Sequence, residues 1–242
     1  MSLENRLKTV SFANDAEAAV KSYQEAGFFI EENIFSVDEC DSLVKAAENL
    51  PDFASGTFPP AMQPHRADPI FLNAMRNPKI VKIMEQLVSG QVSGLQSTFY
   101  YGKPGTPGFT LHQDNWVIET KPDAFASAWV AMQDVTPDMG GLIGYPGSHR
   151  EPVLPRVNTE IPDHESQDIN AFREETVLPP GYEPVSLVVP KGAALFMHSH
   201  FLHSSLTNES QKFRRSLLLT YIRTGEKFRA GNTAGRAEVN VY

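Results

Sequence analysis

At residue 93 the hydrophobic pattern of this chain changes period. Upstream, apolar residues recur every three or four positions; downstream they form short runs, rich in β-branched and aromatic residues, separated by turn clusters. The β runs fall at 96–101, 126–133, 141–145, 185–189, 193–197 and 216–222. An all-β core (93–242) behind a helical N-terminal third (1–92) is therefore expected. Sandwiches and barrels of this length, 242 residues, commonly form one domain, so one domain is expected as well.

Within the first third, Ala16, Ala19, Val20, Tyr23 and Ala26 share a helical face, and Gly27 stands where a left-handed C-cap is wanted. Residues 28–34 read as a strand. Ser36 and Glu39 then have capping-box spacing for a helix ending near Leu50. Five prolines between 51 and 69 predict a loop able to lie over a site, and periodicity returns as a helix over 77–88. Residues 151–183 form a long acidic, proline-containing insertion with the character of a lid or peripheral loop.

A net charge of −8, from 21 basic and 29 acidic residues, argues against a nucleic-acid partner, whose affinity would come from clustered Lys and Arg. The single cysteine, Cys40, excludes an internal disulfide and fits a reducing compartment. The first thirteen residues hold no apolar run of signal-peptide length, and no apolar stretch is long enough to span a bilayer. A cytoplasmic protein with no membrane partner is expected, its oligomeric state unknown.

The chemistry centres on His112-Gln113-Asp114, which follows a turn-rich run. In an extended chain residues i and i+2 face one side, so an imidazole and a carboxylate converge. A third nitrogen ligand would complete the two-His, one-carboxylate face that suits Fe(II) with open positions. His149, His164, His198, His200 and His203 all lie downstream as candidates. Lys191-Gly192 opens an apolar strand, His203-Ser204-Ser205 follows it, and Arg214-Arg215 stands on the next β run. One of that arginine pair must point inward by alternation, where it could clamp a carboxylate bidentately.

These stretches, with 128–134 around Trp129, the Gly140-Gly141 pair and Pro146-Gly147-Ser148-His149, follow one another as in the phytanoyl-CoA dioxygenase family, which the chain resembles over most of residues 27–223. The resemblance implies a double-stranded β-helix, a cupin-like jelly roll. It implies a dioxygenase using Fe(II), 2-oxoglutarate and O2 to hydroxylate an unactivated carbon of a small metabolite or natural-product intermediate, releasing succinate and CO2. It selects His203 to join His112 and Asp114 as metal ligands, and Arg214 with Ser205 for the far carboxylate of 2-oxoglutarate. Trp129, Thr98 and Gln96 are further cosubstrate contacts by the same resemblance, while Tyr101, Asn115 and Trp116 are expected to face the substrate. Related halogenases replace the carboxylate ligand with a small residue, whereas this chain keeps Asp114. Two other classes share the triad: a non-catalytic metal- or ligand-binding jelly roll, and a zinc hydrolase; neither needs a dicarboxylate clamp.

Overall fold

A computed structural model describes residues 10–159 and 174–242. Helix α1 (Ala16–Ala26) starts at Asp15, whose side chain accepts from Ala18 N, and ends at Gly27 with φ +87°. Strand β1 (Phe28–Glu31) leads into α2 (Val37–Glu48), where Ser36 and Glu39 form the reciprocal capping box. The proline-rich stretch is more regular than expected. It contains α3 (Pro51–Ala54), β2 (Ala61–Met62) and a 3-10 turn at Pro64–Arg66, and Pro69 opens a further helix, α4 (Pro69–Met75). The reason is positional: at the first helical residue the N–H has no intrahelical partner, so proline costs nothing there. Helix α5 (Pro78–Leu87) starts the same way.

Downstream come β3 (Val92–Gly102), the short helix α6 (Asn115–Ile118), β4 (Phe125–Ala131), β5 (Leu142–Gly144), β6 (Arg156–Asn158), β7 (Glu174–Thr176), β8 (Val185–Leu187), β9 (Ala194–His198), β10 (His203–Ser205) and β11 (Arg214–Arg223). The larger sheet has the order β1-β9-β4-β11-β3-β2 and the smaller β10-β5-β8, all antiparallel. Together they form the double-stranded β-helix. β6 and β7 pair as a hairpin inside the 151–183 insertion, which the sequence reading left without strands; His164 and the rest of 160–173 lie outside the described residues.

Side-chain alternation divides the larger sheet into two faces. Phe99, Tyr101, Ala128, Val130, Leu217 and Leu219 pack against the helices, whereas Trp129, Leu195 and Met197 pack against Leu142, Leu187 and Phe201 of the smaller sheet and its loops. The first layer is the main apolar reservoir of the fold. No helix among the described residues is long and apolar enough to cross a membrane.

One buried polar group in this frame carries a pH signature. The His65 ring is 7 % exposed, its Nδ1 lies 2.7 Å from Ser97 Oγ, and its Nε2 has no partner among the described residues. Burial, reinforced by the neighbouring Arg66, pushes the imidazole down to about 4. The unfolded chain, with His65 near its ordinary value, takes up the proton first, so this contribution to stability is full above about pH 6.5 and falls away toward pH 4. We expect His65→Gln to reduce the stability lost between pH 7.5 and pH 5 by up to about 2 kcal/mol. Denaturant titrations at the two pH values test this, and equal losses in both proteins would contradict it.

Candidate active site

His112 and His203 form a bridge between antiparallel segments: each backbone N–H donates to the other's carbonyl, at 3.0 and 3.1 Å. Residues paired in this way project their side chains from the same face of the sheet. The rings stand 4.2 Å apart between centroids. The extended chain ends at His112, however, and Asp114 is already helical (φ −58°, ψ −33°) as the N-cap of α6. The carboxylate therefore reaches the imidazoles by a turn and not by the strand alternation that the i, i+2 spacing predicts. Asp114 Oδ1 lies 3.8 Å from Nε2 of both histidines, and the three candidate ligand atoms fall within 4.8 Å of one another.

Each of the three side chains is held from behind. His112 Nδ1 donates to Thr110 O at 2.7 Å, and His203 Nδ1 donates to Phe201 O at 3.0 Å, which fixes the tautomer with an Nε2 lone pair facing the centre. Ser127 Oγ, from β4, donates to Asp114 Oδ2 at 2.7 Å and leaves Oδ1 turned inward. Burial and the neighbouring His203 push the His112 imidazole below its ordinary value, which favours the neutral form that can ligate. This donor set fits Fe(II) or a similar divalent ion.

The other described histidines are used elsewhere. His200 donates through Nδ1 to Glu151 O and accepts at Nε2 from Asn115 Nδ2, at 2.8 and 2.9 Å. His198 Nε2 lies 3.3 Å from Asp123 Oδ1, and His149 Nε2 lies 3.1 Å from Gln24 O. Proximity in sequence to His203 is thus no guide: among the described histidines, His203 alone sits opposite His112.

An inner chamber of about 70 Å³ runs from the triad to Arg214, with Trp129, Ser205, Tyr100 and Leu218 on its walls. Arg214 is 5 % exposed, and burial lowers its guanidinium to about 10. One nitrogen donates to Gly140 O, while Nε has no partner among the described residues. Room for the side chain comes from two glycines: a Cβ on Gly140 (φ +79°) would stand 3.2 Å from Arg214 Nη1, and one on Gly102 would stand 3.3 Å from its Nε. Arg215 faces the other way and pairs with Glu48 of α2 at 2.6 Å. Ser205 Oγ accepts from Phe109 N at 2.8 Å, which leaves its proton for a ligand.

An outer cavity of about 470 Å³ opens on the other side of the triad and shares His112, Asp114, Tyr100 and Leu218 with the chamber. Gln96 and Trp116 line it. Thr98 does not line either space; its hydroxyl accepts from Gln96 Nε2 at 3.0 Å and holds that amide in place. Two expected substrate contacts are turned away. Tyr101 is fully buried on the helix side, donating to Ala47 O at 2.7 Å, because alternation on β3 sends its neighbour Tyr100 into the site. Asn115 is spent on Thr120 and His200. The sequence reading also missed Arg156, Thr233, Ala234 and Arg236, which line the cavity from the insertion and the C-terminal segment. Those segments lack periodicity, and no local signal marks where they cross.

Residues 23–216 match the family model of phytanoyl-CoA dioxygenase (PhyH). Among curated relatives, "Phytanoyl-CoA dioxygenase 1" of Oryza sativa subsp. japonica is 28 % identical over 206 residues, 84 % of this chain and 68 % of that protein. "Phytanoyl-CoA dioxygenase" of Arabidopsis thaliana is 25 % identical over 72 % of this chain and 60 % of its own length. Among solved structures, the non-heme alpha ketoglutarate dependent carbocyclase SnoK from nogalamycin biosynthesis superposes with a TM-score of 0.75 at 20 % identity, covering 93 % of this chain and 91 % of SnoK. The epimerase SnoN, in complex with Fe3+, alpha ketoglutarate and nogalamycin RO, gives 0.72 at 18 %, covering 90 % and 87 %. At these identities the structural likeness shows a shared fold.

The facing of β3 can be tested without any substrate. Tyr101→Phe removes a buried hydrogen bond from the core, and we expect about 1 to 2 kcal/mol of stability to be lost with metal binding unchanged. A variant that kept full stability but lost metal or cosubstrate binding would put Tyr101 in the site instead.

Proposed function

The chain belongs to the phytanoyl-CoA dioxygenase family, 2-oxoglutarate-dependent non-haem iron oxygenases, and on that premise we propose that it hydroxylates an unactivated carbon of a small molecule, with His112, Asp114 and His203 holding Fe(II). The observation that carries this reading is a pairing: three ligand atoms each oriented by a hydrogen bond from behind, and a buried guanidinium, Arg214, at the end of the chamber that leaves them. When bound, Fe(II) with 2-oxoglutarate supplies O2 activation and oxidation of a C–H bond, with release of succinate and CO2.

In this reading the protein's part is to bind, orient and keep water out. Thr110, Phe201 and Ser127 fix the ligand directions. Arg214 would hold the far carboxylate of 2-oxoglutarate with help from the Ser205 hydroxyl, and Trp129 would close the chamber wall beside it. Gln96, seated on Thr98, borders the cavity where the substrate lies. Asp114 fills the carboxylate position that halogenases leave open, which favours oxygen transfer over halogenation. SnoK and SnoN are a carbocyclase and an epimerase acting in one biosynthetic route, which supports a small-molecule substrate for this fold. A zinc hydrolase would use the same triad, yet a guanidinium buried 5 % exposed with an unsatisfied Nε would serve it no purpose.

Purified protein is expected to convert 2-oxoglutarate to succinate only with both Fe(II) and O2. Arg214→Ala should raise the 2-oxoglutarate requirement steeply, by about 2 to 5 kcal/mol of lost binding, because it removes one side of a buried charge pair. Arg215→Ala should lose the Glu48 contact and little else. Succinate assays over a 2-oxoglutarate series decide between the two arginines, and zinc-supported turnover without keto acid would overturn the oxygenase reading.

A further inference from the structure

The walls of the outer cavity are mostly apolar, with Pro59, Pro60, Val117, Phe125 and Leu218 among them, yet two arginines, Arg156 and Arg236, also line it. In a chain of net charge −8 this is uneven: among the described residues, Asp114 of the triad is the one acidic residue that lines the cavity. The two arginines are not equivalent. Arg156 is neutralised by Glu174, with Nη1 3.2 Å from Oε2, and lies over the Trp116 ring at 5.3 Å.

Arg236 has no carboxylate partner among the described residues. Its Nε donates to Gln96 Oε1 at 2.7 Å, and its Nη1 donates to the carbonyls of Val117 and Arg229 at 3.2 and 3.3 Å, all neutral acceptors. Those bonds orient the guanidinium without cancelling its charge; burial and Arg229 work against that charge, while the Asp114 carboxylate across the cavity favours it without touching it. The segment that carries it is pinned: Gln63 Nε2 donates to Ala234 O at 2.9 Å, Arg66 Nη2 donates to Gly235 O at 2.7 Å, and Val239 bridges to Gly94 of β3. A fixed positive charge with no direct carboxylate contact, in a largely apolar space, gains from an anionic group presented by a ligand, since little ordering cost remains on the protein side.

We propose that the substrate is a compact apolar monocarboxylate, its carboxylate on Arg236 and its apolar body along the wall toward Leu218, which brings the carbon to be oxidised to the open side of the triad. The assignment rests on the oxygenase reading above for what happens to that carbon, but not for the binding itself. One guanidinium without a direct carboxylate contact matches one carboxylate better than a phosphate or a polyanion. A cavity of about 470 Å³ suits a ligand of ordinary metabolite size.

The test is calorimetric binding to the full chain, with saturating 2-oxoglutarate and Fe(II) under anaerobic conditions and again without metal. The probes are octanoate, cyclohexanecarboxylate and 3-phenylpropanoate, each beside its primary amide, together with phenyl phosphate. At least one acid should bind ~10-fold or more tightly than its amide. Arg236→Gln should erase that preference while leaving amide binding unchanged, and Arg236→Lys should keep part of it. His203→Ala should leave the preference intact, so that a failure of the iron reading is seen separately. Equal binding of acids and amides, no acid binding at millimolar concentration, or tighter binding of phenyl phosphate would overturn the proposal. Equal weakening of acid and amide by Arg236→Gln would reduce Arg236 to a pin for the C-terminal segment and would overturn it too.

Discussion

The reciprocal pair of backbone hydrogen bonds between His112 and His203 is the constraint from which the rest of the site follows. It joins a loop to β10, helped by the bond from Ser205 N to Phe109 O, and it sets two imidazoles side by side. Strand pairing specifies register strongly, since a slip of one residue would send both rings to the opposite face. The third member is set by a helix start: with Asp114 as N-cap of α6, its side chain turns back across the bridge, and Ser127 of the larger sheet holds the outer oxygen. Both sheets thus contribute to one donor set. A change in their separation would be felt there first.

The same alternation governs the opposite end of the chamber. On β11, Arg214, Ser216, Leu218 and Thr220 face inward, whereas Arg215, Leu217 and Leu219 face the helices; the register shifts only after Thr220. Burying Arg214 among neutral groups carries a desolvation cost that a folded protein recovers only when a partner arrives. Its unsatisfied Nε is a local defect that makes sense as a place kept for an anion.

Much of this was legible in the sequence where local rules act. The capping box at Ser36 and Glu39, the left-handed Gly27 and the switch of period at residue 93 all fix backbone states within a few residues. The choice of Arg214 over Arg215 was not available from alternation, which leaves the phase open; it came from resemblance, and the chain's inner face includes Arg214. Phase also explains Tyr101: nothing in residues 96–101 says which of two adjacent tyrosines faces in. The proline-rich stretch misled because proline opposes a helix interior and not its first turn, as Pro51, Pro69 and Pro78 each illustrate. Arg156 and Arg236 were invisible for a different reason. Their places depend on non-local crossings of aperiodic segments, which only the assembled fold defines.

The account turns on whether His112, Asp114 and His203 form one iron centre that also receives 2-oxoglutarate, and an anaerobic titration reads this directly. Fe(II) added to protein with 2-oxoglutarate should develop a visible metal-to-ligand charge-transfer band that saturates at one iron per chain, and His203→Ala should abolish it while the protein stays folded. No band in the unaltered protein, or an undiminished band in the His203→Ala variant, would contradict the account.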